Sequence, residues 1–187
     1  MPRGLYVLGA CGSGKSTIAR AVADKLNALY LEGDKFYDSH PSFADRVTFL
    51  EQEISQSDYF VFESSSISFA QLFEKLYDTV VFVEVPTDER IRRVEWREFE
   101  KHGQSILLGG ERHEQHKEFM EKIAQYDEPN LDRRWCSREA DEGWLATLNC
   151  PVTYLDGTRE IDENANIVVG KVRELQAGNN NERQLGN

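Results

Sequence analysis

Cysteine is scarce in this chain of 187 residues, and the three present, Cys11, Cys136 and Cys150, form no CxxC pair. An odd, scattered set cannot be fully bridged, which excludes a disulfide framework and suits a reducing compartment. A cationic surplus is also missing, since the formal charge is −11. Nucleic acid and anionic membranes need a basic footprint, so the balance argues against both as partners; a small anion needs only one locally positive site. No apolar run approaches the roughly 18 residues of a membrane span. The opening "MPRGLYVLGACG" holds too short an apolar stretch for a secretory leader before glycines intervene, and a cytoplasmic location is expected. No repeat of 20–50 residues is visible. The length fits one domain, large enough to bury a core without a metal or disulfide staple.

What the chain does have is alternation. Leu5–Leu8 is a short apolar run ending in glycine, and Ile18, Val22 and Leu26 then fall at i, i+4 and i+8, a helical stripe. Leu29–Leu31 is a weaker strand, while Tyr59–Phe62 and Val80–Val83 are apolar on both faces, as strands of a buried parallel sheet are. "SFAQLFEKLYD" places Phe69, Leu72, Phe73 and Leu76 on one helical face, and Val152–Leu155 reads as a fifth strand with a helix from about 163 to 175 after it. Strands alternating with helices predict an α/β fold with helices on both faces of a parallel sheet. The long gap between the fourth and fifth strands reads as three helices, at about 87–102, 110–125 and 137–148, either surface packing or a lid within about 87–150. The polar, Gly/Asn-rich stretch 177–187 is expected to be disordered, leaving 1–176 as the domain.

One motif carries chemistry directly. "GACGSGKST" satisfies G-x-x-x-x-G-K-[ST] with Gly9, Gly14, Lys15 and Ser16 in the fixed places, after a strand and before a helix. Gly9, Gly12 and Gly14, with Ser13 between, let successive backbone N–H groups turn inward around phosphates. The helix start near Lys15 adds unpaired N–H groups and its positive dipole end. Lys15 is assigned to the β/γ-phosphates, Ser16 to Mg²⁺ and Thr17 to the α-phosphate side.

Other candidates have plainer readings beside them. In "LYLEGDKFYD", Gly33-Asp34 is either a turn or a carboxylate at the working end of a strand, with Glu32 a weaker candidate. Glu63 ends the third strand, as a solvated residue or as a carboxylate near Mg²⁺. Arg90, Arg93 and Arg97 lie on one helical face, able either to neutralise phosphoryl oxygens or to pair with Glu89 and Glu100. Arg112, Arg133 and Arg134 are further cations, and at least one of these six arginines is expected to reach phosphate. "LDGT", with Asp156, follows the fifth strand. His113 and His116 are not spaced as HExxH, which leaves them as surface residues rather than zinc ligands.

Taken together, "GACGSGKST", "LEGDKFY", the arginines after the fourth strand and "LDGT" resemble the P-loop small-molecule kinases of the nucleoside-monophosphate-kinase type, such as adenylate, uridine, shikimate and gluconate kinases, over about residues 3–175. The resemblance implies a three-layer P-loop NTPase fold, strand order 2-3-1-4-5, a helical lid, and ATP with Mg²⁺ as donor. It also implies that Asp34 meets the acceptor hydroxyl, that Lys15, Arg93 and Arg97 act on the transferred group, and that the Asp156 loop passes the adenine. The "DGFPR" of adenylate kinases is absent, with "ESSSIS" in its place, which leaves nucleotide, nucleoside and sugar or polyol acceptors open. The alternative is a P-loop ATPase or nucleotide-binding regulator without a small acceptor; no N-K-x-D guanine motif occurs.

Overall fold

The computed structural model describes residues 2–35, 42–129 and 136–185. Five strands, β1 (Arg3–Leu8), β2 (Leu29–Glu32), β3 (Tyr59–Ser64), β4 (Tyr77–Glu84) and β5 (Val152–Asp156), form one sheet in the order β2-β3-β1-β4-β5. Every neighbouring pair is parallel. The helices are α1 (Lys15–Leu26), α2 (Phe43–Ser55), α3 (Ile67–Ala70), α4 (Thr87–His102), α5 (His113–Ala124), α6 (Arg138–Leu145) and α7 (Ile161–Leu185). This is the expected three-layer arrangement and strand order.

The two faces of the sheet are chemically different. Strand alternation sends Leu5, Val7, Val61, Val81, Val83 and Leu155 to one side, against Ile18, Val22 and Ala23 of α1 and Ala165, Val168 and Val172 of α7. Tyr6, Leu8, Phe60, Phe62 and Phe82 face the other side, where Leu50, Ile54, Phe69, Phe73, Trp144 and Leu145 cover them. The first face is small and aliphatic, so α1 and α7 dock closely. Aromatics dominate the second: Tyr6 meets Phe62 and Trp144 edge-on at centroid distances of 5.2 and 5.7 Å.

Three local expectations need correction. The segment 67–76 is not one α-helix: α3 passes into a 3₁₀ turn over Gln71–Leu76, so Leu72 is exposed while Phe69 and Phe73 are buried. Of the inserted helices, α6 belongs to the body, because Trp144 and Leu145 fill the aromatic core. The tail expected to be disordered continues α7 to Leu185. With no proline to stop it, a helix already nucleated and docked through Val172 extends at small cost.

Gly33 departs from turn chemistry. Its φ is not positive, and the chain passes from β2 straight into a helical turn at Gly33–Lys35. A Cβ at Gly33 would stand 2.6 Å from the Ser64 Cβ and 3.0 Å from the Glu63 carbonyl oxygen. Glycine is needed here for close approach of β2 to the end of β3, and this approach places Asp34. The substitution Gly33→Ala is expected to lower stability by about 1–3 kcal/mol, read in urea unfolding as a lower midpoint at unchanged slope.

Candidate active site

The phosphate loop joins β1 to α1 and is shaped by packing. Gly12 and Gly14 have φ of 84° and 87°, a region in which side chains are strained. A Cβ at Gly12 would also lie 2.5 Å from the Arg90 carbonyl oxygen, and one at Gly9 would lie 2.6 Å from Ser13 Oγ. The Ser13 N–H donates to the Ala10 carbonyl at 3.1 Å and closes the turn. α1 begins without a side-chain cap and with no acidic residue in its first turn. By contrast, α2 and α6 are capped by Ser42 and Ser137. An uncapped helix start facing a glycine loop is the arrangement that accepts an anion.

Lys15 is buried beside it, with Nζ 4.0 Å from Glu63 Oε2. Val7 pairs with Glu63 in the β1–β3 register, so the end of β3 is held level with the start of the loop. Burial pushes the Glu63 carboxyl up; Lys15 and a hydrogen bond from Ser16 oppose this, while Asp34 and Glu32 add to it. Tyr30 donates to Glu63 Oε1 at 3.4 Å. Ser16, Glu63, Lys15 and Asp34 are thus brought together, with the Asp34 carboxylate exposed at the rim. Thr17 is exposed on the first turn of α1. Glu32 is engaged elsewhere, with Arg20 at 3.1 Å and Lys35 at 2.9 Å.

The arginines separate into different roles. Arg93 donates through Nη1 to the Gly157 carbonyl at 3.0 Å and through Nε to Glu89 at 2.7 Å. Arg97 lies over the loop, with Nη2 3.6 Å from Cys11 Sγ and 3.3 Å from Glu98. Arg90, by contrast, is fully buried and paired with Asp127. Arg112 is turned to His102; Arg133 and Arg134 lie outside the described residues. In the loop after β5, the Asp156 carboxylate is occupied by the Thr158 N–H and hydroxyl, which hold its pKa down. A Cβ at Gly157 would lie 2.6 Å from the Ser13 carbonyl oxygen, so this loop backs the phosphate loop.

Two residues near the site were not anticipated. Cys136 Sγ lies 2.6 Å from the Ser65 carbonyl oxygen. Asp141 is buried on α6 and accepts from the Tyr126 hydroxyl at 2.7 Å. Its sequence signal was available: Asp141, Trp144 and Leu145 fall at i, i+3 and i+4, a carboxylate on an apolar stripe.

Comparison with known proteins follows this geometry. No family model matches the chain. The protein is 29% identical over 174 residues to "Uncharacterized protein YqaC" of Bacillus subtilis (strain 168), covering 90% of this chain and 97% of that one. Among solved structures, it is similar to a gluconokinase from Sinorhizobium meliloti 1021, at 14% identity and TM-score 0.55 over 97% of both chains. It is also similar to the shikimate kinase of Acinetobacter baumannii in complex with shikimate, at 17% identity and TM-score 0.50 over 96% of this chain and 95% of that one. The fold is that of P-loop kinases.

Burial raises the Asp141 carboxyl to about 7, against opposing effects of Tyr126, Arg138 and Lys15. The folded protein therefore holds this proton where the unfolded chain releases it. Stability owed to the proton is complete below about pH 4 and falls toward pH 7, at no more than about 1.4 kcal/mol per pH unit. In Asp141→Asn, whose side-chain oxygen can still accept from Tyr126, this decline is expected to flatten, as measured by urea unfolding from pH 4 to 8.

Proposed function

We propose that this chain is an ATP-dependent small-molecule kinase that transfers a phosphoryl group to a hydroxyl of a nucleotide, nucleoside or sugar-like acceptor. The observation that carries the reading is the buried Lys15–Glu63 pair at the uncapped start of α1, with Ser16 and Asp34 beside it. The folds of a gluconokinase and a shikimate kinase support the reaction class.

In this reading the loop amides around Gly12–Lys15 hold the phosphates and Lys15 neutralises them. Ser16 and Glu63 supply hard oxygens of the kind Mg²⁺ takes; the ion, when bound, offsets charge on the transferred group. Asp34, at the rim beyond Glu63, orients the acceptor hydroxyl and takes its proton. Arg93 and Arg97 flank the loop at Gly157 and Cys11, where guanidinium groups stabilise charge on phosphoryl oxygens. The Asp156–Thr158 turn passes the base through its backbone.

ATP consumption is expected to rise strongly with one member of a panel of nucleosides, nucleotides, sugars and hydroxy acids. A rate that stays basal across the panel would favour hydrolysis without an acceptor. Lys15→Ala is expected to lower turnover about 10²-fold or more in a protein that remains folded. Asp34→Asn is expected to lower kcat by about 10²–10⁴ while ATP affinity, measured by calorimetry, changes little.

A further inference from the structure

Arg90 carries a charge that reaches neither solvent nor the open side of the loop. It is 1% exposed, so its guanidinium is stable only because it is paired and hydrogen-bonded. Nη2 donates to Asp127 Oδ2 at 2.6 Å and to Thr87 Oγ1 at 3.1 Å, and Nη1 reaches the Cys11 carbonyl at 3.5 Å. The guanidinium also lies over the Tyr126 ring, 4.9 Å from its centroid. Arg90 meets the loop a second time through its own backbone, whose carbonyl leaves no room for a Cβ at Gly12.

Asp127 fixes this arrangement. It closes the 3₁₀ turn after α5 and also accepts from Arg138 Nε of α6 at 2.7 Å. One carboxylate thus joins α4, the return from α5 and α6.

We propose that Arg90, held by Asp127, is a positioning residue for the phosphate loop, and this rests on the kinase reading above. A peptide's C=O and the N–H that follows it point in opposite directions. Drawing the Cys11 carbonyl outward onto Arg90 turns the Gly12 N–H inward, toward the anion. Without the clamp, that carbonyl is free to rotate into the cradle, where its negative end opposes phosphate. Arg90 therefore touches neither phosphate nor acceptor, and its effect falls on nucleotide affinity rather than on the chemical step.

The test compares Asp127→Asn and Arg90→Lys with wild type, and with Glu128→Gln as a neighbouring control. One readout is the rate at which N-ethylmaleimide labels Cys11 in nucleotide-free protein, assigned by peptide mass. The other is the affinity for ATP with Mg²⁺ by calorimetry. In both Asp127→Asn and Arg90→Lys, Cys11 is expected to label faster and ATP to bind more weakly, each by about tenfold or more, the scale of a lost charge-assisted hydrogen bond. The kcat at saturating ATP moves far less than the affinity, and Glu128→Gln changes neither readout. If Arg90→Lys does not fold, Asp127→Asn, at a partly exposed position, decides alone. Wild-type labelling and wild-type affinity in a folded Asp127→Asn protein overturn the clamp. Faster labelling in a protein whose wild type binds no ATP upholds the clamp and removes the kinase reading instead.

Discussion

Everything at this site depends on keeping a lysine ammonium and a glutamate carboxylate buried together. Either one alone in that place would cost several kcal/mol. The pair is tolerable because Lys15 and Glu63 face each other at 4.0 Å, with Ser16 and Tyr30 adding hydrogen bonds. Their meeting is a matter of sheet register. Val7 stands beside Glu63, and alternation along β3 puts Glu63 on the side of Val61, the side covered by α1. A slip of one residue between β1 and β3 would turn the carboxylate to the aromatic face and leave the ammonium unpaired.

The unequal faces of the sheet divide the labour around that pair. On the aliphatic side, short side chains bring α1 and α7 close and anchor the start of α1 rigidly. On the aromatic side, α6 packs through Trp144 and holds Asp141 against the Tyr126 hydroxyl, while Cys136, just before α6, reaches the Ser65 carbonyl after β3. The start of α1 thus rests on the more regular half, and the segment after β3 on the half with more irregular backbone. In "ESSSIS" two serines serve the backbone itself: Ser64 Oγ accepts from the Ser66 N–H, and Ser66 caps α3.

Much of this was legible in the residues. Strand–helix alternation pointed to the architecture, and the glycine-loop spacing marked the turn between β1 and α1 without any long-range contact. Glu63 and Asp34 could be placed because strand ends in a parallel sheet converge. Arg90 could not be told from Arg93 and Arg97, since all share a helical face; burial depends on Asp127, 37 residues away. The α6 helix was legible as a helix, and its narrow stripe of Trp144 and Leu145 fits a surface helix as well as core until Tyr6 is seen against Trp144. The reason for Gly33 is not legible in the sequence, since close approach to Ser64 requires knowing which strands are neighbours.

The glycines at 9, 12 and 157 face protein rather than ligand: Ser13 and Val83, the Arg90 carbonyl, and the Ser13 carbonyl with Val83 and Val85, respectively. Their identity is thus constrained by the fold itself, whatever the loop binds. These positions cannot drift one substitution at a time, because each neighbour would have to change in step. On the kinase reading proposed above, the loop assigned to phosphate is fixed by its protein neighbours, so a change of acceptor has to come from elsewhere in the scaffold.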